Sequence, residues 1–360
     1  MDTTASDIAF DCSGVCNYCT EFLKFSSPII HENPADKDAR LQKLIGQVKA
    51  SGKGRPYDCI VGVSGGVDSS WTLVQVKRLG LRPLAVHMDN GWNSELAQNN
   101  IANIVRGLDL DLHTHVIDWD EYRELMQAFF DADVIDVELL YDNAMLAVNY
   151  QQAAKYGLKY ILAGTNQATE GMRMPPGWNW FKYDKRNIAS LARRHGMKGI
   201  NTLPTIGTMG FVWNHFVKGV RWTSFLDYLP YNKSEALDSL EKNYGYKRYL
   251  FKHYESVFTR FYQGHILPRK FGVDKRKLHL ATLVAAGQLS REEALKSLEG
   301  IPYVTEAELR ADTTYFLKKM KWDSKDLETY LNRPEVSHAD YPSERLFWEA
   351  LIKIFKMVRS

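Results

Sequence analysis

The residues best placed to do chemistry lie in one short run, Ser64-Gly65-Gly66-Val67-Asp68-Ser69-Ser70. Gly65 and Gly66 let a backbone turn sharply and approach a ligand with no Cβ in the way. Serine hydroxyls at 64, 69 and 70 add donors, and the apolar run ending at Val63 reads as a buried strand leading in. A helix read over Val67 to Leu79 would aim its first N–H groups at the same spot as the loop. Such a spot binds anions, phosphate above all. Asp68 is out of place in a phosphate cradle unless a cation lies between, which points to Mg²⁺ held through its carboxylate. The run has neither the Gly-Lys-Ser/Thr ending of a Walker loop nor the Gly-x-Gly-x-x-Gly of a dinucleotide turn.

Two more polar clusters end predicted strands. One is His87-Met88-Asp89-Asn90-Gly91 and the other Gly164-Thr165-Asn166. A stretch over 171–187 carries Trp180, Lys182, Asp184, Lys185 and Arg186 among aromatics and reads as a packed surface loop or a lid over phosphates. Farther on, Glu255, Thr259 and Gln263 are spaced to share a helix face near Arg260, and a basic run, Arg269 to Lys277, includes Lys275 and Arg276. Two basic, apolar-interleaved clusters so close together suit a diphosphate or a nucleotide. Cys16 and Cys19 form half a zinc knuckle, with Cys12 and His31 as candidates to complete it. The alternative is a pair of packed or free thiols. His113 and His115 share a strand face and are read as half-exposed strand residues.

The elements that must hold these groups follow from periodicity. Asp36 to Ser51 places Leu41, Leu44, Ile45 and Val48 on one helix face. Gly52 to Pro56 reads as a connector. From Tyr57 onward strands alternate with helices, with strands ending near Val63, Met88, Ile117 and Ala163 and a last strand expected over Thr202–Thr208. That alternation predicts an α/β fold with a doubly wound parallel sheet, whose ligands sit beyond the carboxyl ends of the strands. The polar clusters fall at those ends and describe one crevice for ATP. Phe211 to Tyr231 is crowded with aromatic and basic residues and reads as a helix docked on the core or on a partner, with a membrane surface as the alternative. From Lys233 the pattern is helical throughout. The expected division is 1–52, an N-terminal segment, 53–210, the nucleotide domain, and 211–360, a helical substrate or partner domain.

A chain of 360 residues with 45% apolar content can bury a large core, and a net charge of +3 argues against a general polyanion binder. No apolar run approaches the roughly 18 residues of a membrane span. Four cysteines and no signal-peptide pattern lead to the expectation of a reducing cytoplasm.

Ser64-Gly65-Gly66-Val67-Asp68-Ser69 resembles the SGGxDS signature of the PP-loop ATP pyrophosphatases. That likeness implies cleavage of ATP between its α- and β-phosphates, with an adenylated intermediate. The similarity runs through Phe10-Asp11, Gly14 to Cys19, Gly62 to Ser70, Val86 to Trp92, Asn179 to Ile188 and His253 to Arg260. Over nearly the whole chain it resembles the N-acetyl sugar amidotransferases of bacterial surface-polysaccharide pathways. Members typically carry another CxxC upstream of the point where this chain starts, so a complete zinc site is not expected here. The resemblance implies conversion of an acetamido group on a nucleotide-linked sugar to an acetamidino group, with ATP and Mg²⁺. Ammonia would come from partner glutaminase and cyclase-like subunits, and Phe211 to Tyr231 is the face proposed for the delivering partner. Val63, Ser64, Gly65, Gly66, Asp68, Ser69 and Ser70 are then expected at the phosphates, with His87, Asp89, Gly91, Gly164, Thr165 and Asn166 around the nucleoside. Asp68, Lys182 and Arg260 are the catalytic candidates. Trp180, Asp184, Lys185, Arg186, Glu255, Thr259, Lys275 and Arg276 are the substrate candidates. The rivals are a PP-loop enzyme that thiolates or adds lysine to transfer RNA, and a nucleotide-binding subunit without chemistry.

Overall fold

The computed structural model describes residues 1–249, 255–303 and 305–359, without the side chains of 355, 356, 358 and 359. His253 and Tyr254 lie outside the described residues, as does part of the helix expected over Tyr249–Gln263.

The sheet has five strands, β1 (Cys59–Gly62), β2 (Pro83–Asp89), β3 (Leu112–Val116), β4 (Tyr160–Ala163) and β5 (Arg221–Ser224), in the order β3-β2-β1-β4-β5. Every neighbouring pair is parallel. The chain therefore winds outward from β1 in one direction, then crosses back to build the other half. The strand order reverses between β1 and β4, where open sheets of this kind open a crevice. The strands alternate side chains between two apolar layers, as a pleat requires. Ile60, Leu84, Val86 and Ile161 enter the larger cluster, whereas Cys59, Val61, Ala85 and Leu162 enter the smaller. The smaller layer is covered by the helices Pro34–Ser51, Val67–Arg78, Glu95–Gly107 and Lys233–Tyr244. The larger layer joins the N-terminal Tyr18 and Phe22, the helix Leu139–Lys155 and the C-terminal Phe258, Phe261, Phe316 and Tyr330 in one core.

Two expectations need correction. Residues 202–208 form no strand, and the fifth strand is Arg221–Ser224, inside the stretch read as a docked helix. A boundary at 210 would cut that strand from its sheet. The period-two signal of Arg221-Trp222-Thr223-Ser224 is too short, and too mixed in polarity, to stand out from its aromatic surroundings. The region 208–217 is instead a short helix continued by a π-turn. The helices Lys233–Tyr244, Arg276–Ala285, Arg291–Leu298, Glu306–Met320 and Arg345–Arg359 fall where periodicity places them, with a reciprocal capping box of Ser290 and Glu293. The helix expected over Tyr249–Gln263 starts, among the described residues, only at Val257 after an extended Ser256. A further helix, Ser324–Asn332, was missed.

Candidate active site

β1 ends at Gly62, and the chain turns through Val63 to Gly66 into the helix Val67–Arg78. Gly65 has φ +84°, and a Cβ there would lie 2.8 Å from the Ala97 carbonyl oxygen. Only glycine fits this turn. Its carbonyl accepts hydrogen bonds from both Tyr246 and Tyr249, each at 3.1 Å. Ser64 and Ser69 brace the loop from within: the Ser64 N–H donates to Ser69 Oγ at 3.3 Å, and Ser69 Oγ donates to the Gly66 carbonyl at 3.2 Å. Ser70 is buried in the helix face behind the loop, and Val63 is buried with its N–H on the Val86 carbonyl.

A cavity of about 520 Å³ opens over this turn. Ser64, Gly66, Asp68 and Ser69 form its polar end, and Val86, Met88, Met145, Val148 and Trp222 make an apolar wall suited to a base. Gly164 and Thr165 line it from the end of β4. A Cβ on Gly164 would fall 2.7 Å from backbone atoms of Asp68 and Ser69, so this glycine allows the strand end to touch the helix start. Asp68 accepts a short hydrogen bond from the Tyr231 hydroxyl and a longer one, 3.5 Å, from Thr169 Oγ1. Burial and the Asp68 charge raise the Tyr231 pKa, so the phenol stays protonated and donating. Glu170 and Glu255 also line the cavity, against Lys233.

The acids outnumber the bases, so a polyphosphate could enter only with a cation. Among the described residues no group of three His, Cys, Asp or Glu is gathered for a metal. The Asp68 carboxylate stands at the polar end of the cavity, where it would hold a cation against a phosphate.

His87, Asp89, Gly91 and Asn166 do not line this cavity. They support its rim. The Asn93 amide donates to His87 Nε2 at 3.1 Å, leaving Nδ1–H for the Val63 carbonyl at 2.9 Å. Burial lowers the pKa of this imidazole and keeps it neutral. Asp89 accepts from the Gly91 N–H at 2.8 Å, and the Gly91 carbonyl is capped by Lys319, whose ammonium sits 3.7 Å from the Trp119 ring centroid. Asn166 is buried and caps the turn Gln167–Glu170.

A second cavity, about 290 Å³, adjoins the first. The two share Ser64, Tyr141, Asp142 and Glu255. Lys182, Thr259, Gln263 and Lys275 line the second, so residues from distant segments that the sequence singled out do meet. The charges are arranged in pairs. Lys182 Nζ lies 2.6 Å from Asp136 and 2.8 Å from Asp142, and Lys275 Nζ lies 2.8 Å from Glu138. The Gln263 amide also donates to both oxygens of Glu138, at 3.0 and 2.9 Å. Burial opposes ionisation of Asp136, but the Lys182 ammonium holds its carboxyl below the usual range. Burial raises the pKa of Asp142, and Lys182 offsets only part of the rise. Asp136, Glu138, Asp142 and Tyr141 were missed. The available signal was a pair of acids, Asp136 and Glu138, within an otherwise apolar run, Val134 to Leu140.

Several expected substrate residues have other work. The 171–187 loop is a packed floor and not a lid. Trp180 is buried, stacks on His338 at 5.1 Å, and donates its indole N–H to Asp184 at 2.8 Å. Asp184 is fully buried and caps the helix Lys185–Arg194. Lys185 and Arg186 face a different cavity, lined also by Met209 and Phe347. Arg260 forks onto Asp312 at 2.5 and 2.6 Å, and Arg276 onto Asp274, so neither lines either of the two joined cavities. Four-residue spacing reported the face of Thr259 but could not say that Arg260 points to Asp312.

Neither candidate completes the half-knuckle of Cys16 and Cys19. Cys16 and Cys19 place their sulfurs 3.5 Å apart, but Cys12 is exposed and neither it nor His31 joins them in a ligand cluster. Burial and the neighbouring Cys16 push the Cys19 thiol up to about 11, and burial raises Cys59 as well. These are protonated thiols, unlike the thiolate a thiolation enzyme needs.

Residues 255–355 match the model of the C-terminal domain of WbpG-like proteins of lipopolysaccharide (LPS) biosynthesis. The C-terminal part of this chain is thus similar to a WbpG-like domain. It supplies Glu255, Thr259, Gln263 and Lys275 to the second cavity. A search of curated proteins finds no match. Among solved structures, the chain is similar to the NMN synthetase of Francisella tularensis at 14% identity, over 62% of this chain and 99% of that one, with a TM-score of 0.30. It is also similar to the NH3-dependent NAD synthetase of Campylobacter jejuni, solved with a nitrate ion, at 16% identity over 74% and 97%, with a TM-score of 0.30.

Proposed function

We propose that this chain is an ATP-dependent amidotransferase of surface-glycan biosynthesis, including LPS O-antigen, which converts an acetamido group on a nucleotide-linked sugar to an acetamidino group. The observation that carries the reading is the shared wall. Ser64, Tyr141, Asp142 and Glu255 border both cavities, so a group held in the smaller one meets a phosphate at the Ser64–Ser69 turn. The similarity of residues 255–355, which line part of the smaller cavity, to a domain of LPS biosynthesis proteins supports this reading.

In this reading ATP lies in the larger cavity with its base against Met145, Val148 and Trp222. The acetamido oxygen attacks the α-phosphorus, the bond to the β-phosphate oxygen breaks, and pyrophosphate leaves. Ammonia then adds to the activated carbon, the carbon–oxygen bond breaks, and AMP departs. Gly66 N–H and the serine hydroxyls stabilise charge on the phosphates, and a Mg²⁺ held at Asp68 would neutralise it. The protein's main contribution is to place the two reactants in line. Lys182 and Lys275 orient the acceptor, and Asp142, with its raised pKa, is suited to take a proton from the incoming amine. Among the described residues no cysteine thiol is hydrogen-bonded to a histidine, so in this reading glutamine hydrolysis falls to partner subunits.

The test is direct. Purified protein is given ATP, Mg²⁺, a panel of UDP-acetamido sugars and ammonium, and products are read by mass spectrometry. AMP, pyrophosphate and a product lighter by the exchange of O for NH are expected, with glutamine replacing ammonium only when partner subunits are added. ADP in place of AMP, or glutamine-driven product from this chain alone, would reject the reading.

A further inference from the structure

The helix Arg345–Arg359 packs by the wrong face for a free-standing protein. Trp348 turns inward onto Phe211 and Tyr183, with ring centroids 5.1 and 5.5 Å apart. The opposite stripe, Leu346, Ala350, Ile354 and Met357, follows helical spacing and points outward. Leu346 is 81% exposed and Met357 68%. Beside it the short helix and π-turn before β5 expose Met209, Trp213 and Val217. Phe347 and Met209 line the same open cavity of about 610 Å³, so the two ridges form one continuous surface.

The border of this surface is cationic. Lys185, Arg186 and Lys218 line the same cavity, and Lys353 follows on the helix. None of these four side chains forms an ion pair among the described residues. The nearby acids are engaged: Glu344 accepts the Thr208 N–H at 2.5 Å, and Glu349 pairs with Arg345 at 2.8 Å. Lysine is depleted where proteins meet proteins. Aliphatic and tryptophan side chains flanked by Lys and Arg are the pattern of an element lying in the headgroup plane of an anionic bilayer. Among the described residues no helix is long and apolar enough to cross a membrane, so the contact is one of lying on the surface.

We propose that the outward face of the helix Arg345–Arg359, with the Met209–Val217 turn, seats this protein on an anionic lipid bilayer. The stripe enters the acyl boundary, and Lys185, Arg186, Lys218 and Lys353 meet the lipid phosphates. The Phe211–Val217 part of the stretch Phe211 to Tyr231, read from sequence as a docking face for an ammonia-delivering partner, is thereby assigned to lipid.

The experiment is co-sedimentation of the full chain with vesicles of phosphatidylcholine alone or mixed with phosphatidylglycerol. Partition onto the anionic vesicles is expected to be about tenfold or more above the neutral ones and to fall with added salt. The double substitution Leu346→Glu/Ile354→Glu should lower it at least about tenfold while the circular dichroism spectrum and ATP turnover stay unchanged. Lys218→Glu should lower it about fivefold at low salt. Equal binding to both vesicle types, or full binding by the double variant, overturns the proposal. So does a dimer, seen by sedimentation without lipid, that the double variant dissolves, which would give the face to a second copy. Stoichiometric capture of a soluble protein on this face, with no vesicle binding, would overturn it too.

Discussion

The two joined cavities are built from different materials. The larger takes its polar end from consecutive residues of one turn, and much of what it presents is backbone held open by Gly65 and Gly164. The smaller is built from side chains brought together from separate segments, four of them carrying Glu138 with Asp142, Lys182, Glu255 with Thr259 and Gln263, and Lys275. Its charges are held as ion pairs, each dependent on a partner far away in the chain. Backbone geometry survives most side-chain changes but not the addition of a Cβ. A network of buried ions tolerates shape changes but not the loss of one charge. The two sites should therefore fail differently.

The largest expected effect is at Asp68. Asp68→Asn keeps an acceptor for the Tyr231 hydroxyl while removing the charge. Turnover should fall by about a thousandfold with melting temperature nearly unchanged, since the missing function is cation placement. Pyrophosphate release near the wild-type rate would end the assignment. Lys182→Met should act mainly on the fold. It leaves Asp136 and Asp142 uncompensated, and urea titration should show a loss of about 3–5 kcal/mol, with activity lost as well. An unaltered midpoint would mean that the pair is solvated after all.

Gly164→Ala tests the other material. Its Cβ would press on the backbone of Asp68 and Ser69, so KM for ATP should rise about tenfold or more while acceptor binding is spared. A matching loss of acceptor affinity would show that the two cavities are one mechanical unit.

The pH response should belong to the second cavity. His338 Nε2 accepts the Asp136 N–H at 3.2 Å, and burial pushes the pKa of this imidazole down to about 4. The unfolded chain binds this proton more readily than the folded one. Stability from the neutral ring is thus fully present above the unfolded value near 6.5 and is lost as pH falls toward 4. The difference is worth roughly 3 kcal/mol. Melting temperatures at pH 5 and 7.5 should converge in His338→Gln, and acceptor binding should weaken before nucleotide binding in the wild type. The smallest effect is expected for Arg276→Ala. Its guanidinium is on Asp274 and outside both cavities, so kcat/KM should stay within about twofold.

The same contrast explains what could be read from the sequence. The phosphate turn was legible because its chemistry is local: a strand, two glycines and a helix start are neighbours in the chain. The parallel sheet was legible from its alternation, except for β5, where Trp222 and its neighbours carry no clean period. The acceptor cavity was legible in part: Lys182, Glu255, Thr259 and Lys275 were singled out and line it, although Glu255 precedes the helix on which Thr259 sits. The partners that decide the role of a cation are non-local. Nothing near Arg260 announces Asp312, and nothing near Lys182 announces Asp136. The same holds for Trp180 and Asp184, whose aromatic and charged surroundings suggested a ligand and in fact form a floor.

The Gly65 carbonyl has a consequence for how the protein is made. Both of its hydroxyl donors, Tyr246 and Tyr249, lie beyond the last strand of the sheet. A nascent chain that has emerged only as far as Ser224 can complete the sheet and form the turn, but its peptide plane is then held only by the long Gly66 N–H bond to Ser64 Oγ at 3.3 Å, without either hydroxyl on its oxygen. The pose of the turn is set only after synthesis has passed Tyr249, and the acceptor cavity waits longer still, for Lys275. Translation thus orders the two assemblies in time, and a half-made chain lacks both the finished turn and the acceptor site that would put ATP to use.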